Sequence, residues 1–286
     1  MRYDLATLVR RQRNVRRRAI PIRDIAPPAT LASSLYASYS RVVQLWQRRA
    51  ERIIAEYERT VDSMTTDSPA DIQGEIEQAQ SEFERLFLDI VPELHDWVIR
   101  TEAWTRGQWR GAVLSATGVD LSTLLGPEDV RDTLESYIAW NTDLIRDVSA
   151  QTRKRIGDRI FSGLTERKPA REVAREIREA VAMSRDRSLR VASDQLSKLT
   201  SNLAAERRRE AGLSVFEWRH SRKRHPRTEH QARDGNYYSE DPALVGKRVD
   251  GKTIRADPPR GDRAGMPPFC GCRERSVLVF SFDGEG

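Results

Sequence analysis

An apolar stripe between Leu31 and Val61 places the strongest constraint on how this chain folds. Successive members of the stripe are 4, 4, 3, 4, 4, 3, 4 and 4 positions apart, close to the 3.6-residue period of an α-helix. The members are Leu31, Leu35, Tyr39, Val42, Trp46, Ala50, Ile53, Tyr57 and Val61. The remaining face is rich in arginine and glutamate, so the pattern predicts a long amphipathic helix whose stripe is buried in a core rather than set against a cofactor.

Three further helical segments are predicted after the first. The second begins at Ser68, a typical N-cap residue followed by proline, and runs towards Gly118, with Pro92 as a kink or a break. The third begins at the GPED motif of residues 126–129, and the fourth runs from Lys168 to the arginines before Gly212. The stripe of the third comprises Val130, Leu134, Tyr137, Asn141, Ile145, Val148, Ile156 and Ile160.

After Gly212 the pattern changes from helical to strand-like. Residues 214–219 alternate between apolar and polar side chains, and the Asp250–Gly251 pair separates two short β-prone runs, as in a hairpin. The segment SVLVFSF, residues 276–282, is the most strand-like in the chain. The sequence therefore predicts the α+β class, with mainly long α-helices and a small mixed α/β C-terminal domain.

Composition narrows the class of protein further. The chain has 286 residues, and its six Trp, seven Tyr and seven Phe supply enough core material to exclude a wholly disordered chain. No apolar run reaches the length of about 18 residues that a transmembrane helix needs, and no secretory signal is recognisable. Two cysteines are too few for a disulfide scaffold, which favours a reducing compartment.

We expect a basic N-terminal arm (1–28), a helical docking region (29–212) and the C-terminal domain (213–286).

Positive charge is concentrated at the N-terminus. The net charge is +6, and the first 23 residues contain eight arginines and one acidic residue, Asp4. One interpretation is a solvated, disordered arm that has no partner. The other is an arm that neutralises nucleic-acid phosphates and releases their counterions. The candidate nucleic-acid contacts are Arg10, Arg11, Arg13, Arg16, Arg17 and Arg18.

Reactive residue types are crowded into one C-terminal window. Three of the four histidines and both cysteines lie between His220 and Cys272. His225, His230, Cys270 and Cys272 offer the imidazole and thiolate ligands that zinc prefers. However, Cys-x-Cys is not the usual zinc spacing and no second cysteine pair is present. A compact polar cluster with two packed thiols and no cofactor is therefore the alternative to a zinc site.

The same window also permits a catalytic interpretation. His230, with Arg227 and Arg233, resembles the acid–base and phosphate-clamp parts of a metal-independent ribonuclease. The C-terminal domain would then be a small nuclease or toxin-like domain carried on a helical region. We keep this as an alternative and otherwise assign no catalytic residue.

Two motifs of this window are FEWRHSRKRHPRTEHQARDGNYY and PPFCGCRERSVLV. Together they resemble the C-terminal signature of the phage Mu F-like family of minor head (head morphogenesis) proteins. The matching signature residues are Trp218, Arg227, His230, Gly235, Cys270 and Cys272. The resemblance spans roughly residues 135–286 and includes the helical segments WNTDLIRDVSAQTRKRIGDRIFSGL and LRVASDQLSKLTSNL. The basic run of residues 222–224 departs from the family, many of whose members carry an acid after the tryptophan.

The resemblance implies a structural component of a virion rather than an enzyme. It implies several copies per particle, bound to the portal and other head proteins inside the capsid, after assembly in the host cytoplasm. The chain would support head assembly and the packaging or ejection of double-stranded DNA, with no membrane partner. The nuclease described above and a cellular nucleic-acid-binding protein are the alternatives. A basic arm suits a DNA-filled interior as well as either alternative.

Overall fold

The structure is a computed structural model, and it describes residues 2–12, 14–63, 68–223 and 227–284. Two of the predicted site residues, Arg13 and His225, lie outside these ranges. The side chain of Ser68, the predicted N-cap, is also outside the described part of the chain. The described residues form the predicted α+β fold, with long α-helices and a small mixed sheet.

Helices make up most of the described chain. They are α1 (Leu5–Gln12), α2 (Ala29–Ser63), α3 (Ser68–Thr117), α4 (Arg131–Glu166), α5 (Ala170–Glu210) and the short α6 (Thr228–Ala232). Helices α2 to α5 confirm the four predicted helical segments, and Pro92 lies inside α3 without ending it. Helix α4 begins after the GPED motif because Glu128–Val130 form a short 3-10 helix first. In the part of the chain that the structure describes, no helix combines the length and apolar character needed to cross a membrane.

The chain divides into two compact units, and neither is a continuous stretch of sequence. Unit 1 comprises Met1–Ala29, Ile99–Glu135 and Asp194–Gly286, and unit 2 comprises Thr30–Val98 and Ser136–Ser193. This division differs from the three consecutive segments expected from the sequence. The reason is that α3, α4 and α5 each contribute residues to both units.

Unit 2 is a helical core built on the stripe predicted for α2. Seven members of the stripe, Leu35 through Tyr57, are each at most 2% exposed. Two polar groups in this core are paired: Trp46 donates its indole N–H to the Ser149 hydroxyl at 2.9 Å, and the Tyr39 hydroxyl bonds the Asn141 side-chain oxygen at 3.3 Å. A stable core requires hydrogen-bond partners for its buried polar groups. The stripe is therefore core, as predicted.

At Gly163 of α4, the helices of unit 2 pack too closely for a side chain. A Cβ at this position would lie 2.6 Å from Cγ2 of Val173 and 2.7 Å from the Tyr57 hydroxyl, whereas a Cβ at Gly157 would meet nothing within 4 Å. Replacing either glycine by alanine raises the helix propensity by the same amount, but only the substitution at Gly163 overpacks the core. We therefore expect Gly163→Ala to be about 1–3 kcal/mol less stable than Gly157→Ala. Urea unfolding of the two variants measures this difference, and equal stability would contradict the packing described.

A mixed six-stranded sheet lies in unit 1. Its strands are β1 (Ala19–Pro21), β2 (Val215–Arg219), β3 (Tyr237–Ser239), β4 (Arg248–Val249), β5 (Lys252–Ala256) and β6 (Arg273–Val279). The spatial order is β1-β6-β2-β3-β5-β4, and the β3–β5 pair is parallel while the other pairs are antiparallel. The predicted hairpin is confirmed, with Asp250 and Gly251 at φ values of 49° and 77° between β4 and β5. Strand β6 begins before the predicted position because Arg273–Arg275 also pair with β2.

In its described residues the N-terminal segment is folded, which differs from the interpretation of this segment as a solvated, disordered arm. Leu5 and Val9 of α1 are fully buried in an apolar cluster of unit 1 that includes Trp109. Strand β1 pairs with β6, with Ala19 opposite Val279. The apolar residues between the arginines therefore anchor this segment on the sheet and its neighbouring helix.

Candidate metal centre

Two segments of unit 1 bring three donor side chains together. His230 lies on α6, and Cys270 and Cys272 lie just before β6. One ligand atom from each residue lies within 4.8 Å of the others. His230, Cys270 and Cys272 are only 2%, 4% and 2% exposed. These three side chains, called the donor cluster below, form a group that can hold a metal ion.

The two ring nitrogens of His230 face different partners. Nδ1 lies 3.4 Å from Sγ of Cys270 and 3.7 Å from Sγ of Cys272, while Nε2 lies 2.9 Å from Oδ1 of Asp262. An ionised carboxylate can only accept a hydrogen bond, so Nε2 carries the proton. In the neutral ring, Nδ1 then directs its lone pair towards the two sulfurs. A carboxylate on the far nitrogen is the usual support of a metal-binding histidine.

Asp262 is held in its ionised form. Partial burial alone would raise its pKa, but the hydrogen bonds from His230 and Arg233 outweigh that effect and keep the pKa of Asp262 below its ordinary value. Arg233 donates to Oδ2 of Asp262 at 2.5 Å and to its backbone oxygen at 3.2 Å. The orientation and tautomer of His230 are therefore set by a carboxylate that is itself fixed in place.

The two thiols ionise differently. The Cys272 thiol donates a hydrogen bond to Cys270 and so lowers the pKa of Cys270 to about 5, against the opposing effect of burial. The same hydrogen bond, together with burial, raises the pKa of Cys272. A bound cation would take the place of the shared proton, since metals bind thiolates and release protons.

An aromatic wall closes the donor cluster on the side of the sheet. The rings of Trp218 and His230 meet edge to face, with centroids 5.0 Å apart and planes at 80°. The guanidinium of Arg233 lies over the Trp218 ring, 5.0 Å from its centroid, and the Tyr238 ring centroid lies 6.0 Å from that of Trp218. Trp218 and Tyr238 belong to the same buried apolar cluster as both cysteines. The donors are thus shielded from water on this side, which favours a tightly bound ion.

The loop that presents the cysteines is clamped in an uncommon conformation. Phe269 has a φ of 59°, a value that bulky residues rarely adopt. The backbone N–H of Phe269 donates to Asp194 at 2.6 Å, and its carbonyl accepts from Nζ of Lys223 at 2.8 Å. The N–H of Cys270 closes a turn on the carbonyl of Pro267 at 2.9 Å. These contacts hold the strained residue in place, so the cysteine that follows it points into the cluster.

A cleft of about 250 Å³ opens beside the donor cluster. Besides the three donors, His220, Ser221, Lys223, Arg227 and Phe269 line it. Arg227 donates to the carbonyl of Pro268 at 3.0 Å. The cleft is therefore lined by basic side chains as well as by the thiols and the imidazole.

The structure brings most of the predicted signature residues to one place. Trp218, His230 and both cysteines form the cluster and its wall, and Arg227 lines the cleft. Gly235 has a φ of 77° and donates its N–H to the carbonyl of Trp218 at 2.9 Å, so it shapes the turn that leads into β3. Asp262 was not predicted from the sequence, because no spacing pattern connects this aspartate to a histidine 32 positions away.

The N-terminal arginines have different surroundings. Arg10 donates to the carbonyl of Phe280 at 2.8 Å, and Arg18 pairs with Asp283 at 2.8 Å. The other described candidates, Arg11, Arg16 and Arg17, are exposed and form no ion pair within the described ranges. They are therefore free to meet a polyanion, and nucleic-acid binding by this segment stays a prediction.

Comparison with known proteins gives a partial similarity. The chain is 24% identical over 143 residues to an uncharacterised protein of Haemophilus influenzae. The aligned region covers 50% of this chain and 32% of that relative, so it spans about a third of the relative's length. No family model and no solved structure matches the chain. The resemblance to the phage Mu F-like family therefore stays a prediction.

Proposed function

We propose that this chain is a phage minor head protein whose C-terminal fold is tied together by a zinc ion. One observation carries the proposal. Trp218, His230, Cys270 and Cys272 all belong to the motifs that resemble the family, and they converge on one buried cluster. Residues far apart in the sequence that meet in this way support a common structural role for the signature.

The donor cluster fits zinc better than the other common protein metals. Zinc binds thiolates and imidazoles readily, whereas magnesium and calcium prefer oxygen ligands. Cys270, Cys272 and His230 would hold the ion, and two thiolates would balance its charge. The ion would connect α6 to the loop before β6. His225, the further ligand predicted from the sequence, lies outside the described residues.

The environment of His230 favours this structural role over the nuclease alternative. A general acid or base must reach the substrate with a free nitrogen. Nε2 of His230 is engaged by Asp262 and Nδ1 faces two sulfurs, in a side chain that is 2% exposed. Such a histidine is placed to bind a metal rather than to exchange protons with a substrate.

The helical part of the chain is the candidate region for attachment to a larger partner. Leu88 and Phe161 of unit 2 are 72% and 74% exposed. Single exposed apolar side chains are common on protein surfaces, so the docking role rests on the resemblance to the family, and these two residues are its candidate contacts. We propose that unit 2 docks on the portal and other head proteins, and that exposed N-terminal arginines face packaged double-stranded DNA inside the capsid.

Co-expression with a portal protein from the genome that encodes this chain tests the proposed role. We expect a stable complex of defined stoichiometry in size-exclusion chromatography with mass measurement. The double variant Leu88→Ser, Phe161→Ser should lose the complex, while Glu135→Gln, an exposed change in unit 1, should keep it. A folded, monodisperse chain that forms no complex would contradict the proposal.

That negative result would direct attention to the two alternatives. The nuclease interpretation requires cleavage of RNA or DNA by the wild type, between about pH 5 and pH 9, that His230→Ala abolishes. The cellular nucleic-acid-binding interpretation requires duplex DNA binding with a steep salt dependence that flattens when the exposed Arg11, Arg16 and Arg17 are replaced by glutamine.

A further inference from the structure

The donor cluster supplies fewer ligands than zinc normally takes. Zinc in proteins is almost always four-coordinate, and an open fourth position distinguishes reactive sites from closed structural ones. Within the described ranges, the group comprises His230, Cys270 and Cys272 and no fourth side chain. Asp262 is already committed to Nε2 of His230 and to Arg233. The protein as described therefore leaves one position at the ion for another ligand.

The cleft gives that position access to the surface. All three donor residues line the cleft, although each is at most 4% exposed. The aromatic wall of Trp218 covers the cluster on another side. A ligand of the ion can therefore arrive through the cleft, and its volume of about 250 Å³ suits a small polar group.

The charge around the cleft selects the kind of ligand. Lys223 donates one hydrogen bond to the carbonyl of Phe269 at 2.8 Å, and Arg227 donates one to the carbonyl of Pro268 at 3.0 Å. An ammonium has three donors and a guanidinium has five, so both side chains keep donors for a ligand. Neither forms an ion pair with a carboxylate in the described part of the chain. Because two thiolates cancel the charge of Zn²⁺, the net charge facing the cleft is positive.

We propose that the metal centre has an open coordination position facing this cleft, and that the position binds a phosphate-type oxyanion. Lys223 and Arg227 donate hydrogen bonds to the oxyanion while one of its oxygens coordinates the ion. This inference rests on the proposed zinc site. The oxyanion has two sources, free phosphate or a phosphate group of nucleic acid, which share the same chemistry.

Cobalt substitution of the full-length chain tests the inference. Four-coordinate Co²⁺ with thiolate ligands absorbs visible light, and its bands shift when a ligand is exchanged. We expect inorganic phosphate to change the spectrum saturably, and Lys223→Ala, Arg227→Ala to weaken that binding at least about tenfold, since both lost hydrogen bonds are charge-assisted. Arg255→Ala, an exposed arginine on β5, is the matched control and should bind like the wild type.

The outcomes separate this inference from the zinc site itself. One cobalt per chain with a spectrum that no phosphate concentration alters means that a fourth protein ligand, such as His225, closes the site. That result overturns the inference and leaves the metal centre intact. Failure to bind cobalt or zinc overturns both. A response to a 5′-phosphorylated oligonucleotide, absent with its unphosphorylated form, assigns the site to nucleic-acid ends, and a response to inorganic phosphate alone assigns it to the free ion.

Discussion

Replacing both Cys270 and Cys272 by serine should remove the metal and destabilise unit 1. The free energy of zinc binding to a structural site contributes directly to folding, and both cysteines lie in a buried apolar cluster. We expect bound zinc to fall from about one per chain to about zero. We also expect the free energy of unfolding to fall by about 3–5 kcal/mol, which lowers the melting temperature by roughly 5–8 °C in a chain of this size. Elemental analysis and thermal unfolding measure the two effects.

A chelator provides the control for this prediction. Stripping zinc from the wild type should lower the melting temperature about as much as the double substitution does. The chelator should then have no effect on the variant, because the variant has no metal to lose. Additive losses from the chelator and the substitution would mean that the two thiols stabilise the fold by packing and that any zinc binds elsewhere.

Arg207→Met should cause the second large loss of stability. Arg207 is 1% exposed, and its guanidinium pairs with Glu102 at 2.8 Å and Glu210 at 2.9 Å and donates to the carbonyl of Gly126 at 2.8 Å. Removing one partner of a buried ion pair leaves an uncompensated charge and costs about 3–5 kcal/mol. Because Arg106 still lies 3.3 Å from Glu102, we expect about 3 kcal/mol. Urea unfolding measures the loss.

Two further variants show whether the loss arises from the buried charge. The double variant Arg207→Met, Glu102→Leu should recover part of the stability, because it removes the most buried of the carboxylates that lose Arg207, while Asp129 and Glu210 still lack that partner. Arg209→Met is the surface control: Arg209 is 43% exposed and pairs with Glu240, so its removal should cost about 1 kcal/mol or less. If Arg207→Met and Arg209→Met lose the same stability, the buried network does not hold unit 1 together.

Local patterns in the sequence predicted the helices well. The stripe of α2 has helical spacing over eight consecutive intervals, and its central residues are buried as expected. The Asp250–Gly251 hairpin was equally predictable from the sequence. Both turn residues have positive φ values, and the Asp-Gly pair is favoured in such turns. Both are local features, whose cause and effect lie within a few positions of each other.

Contacts between distant segments could not be predicted from the sequence. The pairing of β1 with β6 joins Ala19 to Val279, and the surrounding arginines obscured the apolar residues that anchor the N-terminal segment. The discontinuous units arise because long helices pass from one unit to the other, which no local pattern reports.

The donor cluster was predictable only in part, because residue types can be read from the sequence whereas contacts between distant segments cannot. The crowding of histidine and cysteine pointed to His230, Cys270 and Cys272, which the structure brings together. It did not reveal that Asp262 would orient the imidazole, or that Lys223 and Arg227 would line a cleft beside it. Those relationships depend on the path of the loop between β5 and β6, which spacing along the chain does not encode.

X-ray absorption at the zinc edge of the purified full-length chain tests the central claim most directly. We predict one zinc per chain with two sulfur ligands at about 2.3 Å and at least one imidazole nitrogen at about 2.0–2.1 Å. That shell would match Cys270, Cys272 and His230. A zinc shell without sulfur, or a folded chain that carries no zinc after growth in zinc-supplemented medium, would contradict the account.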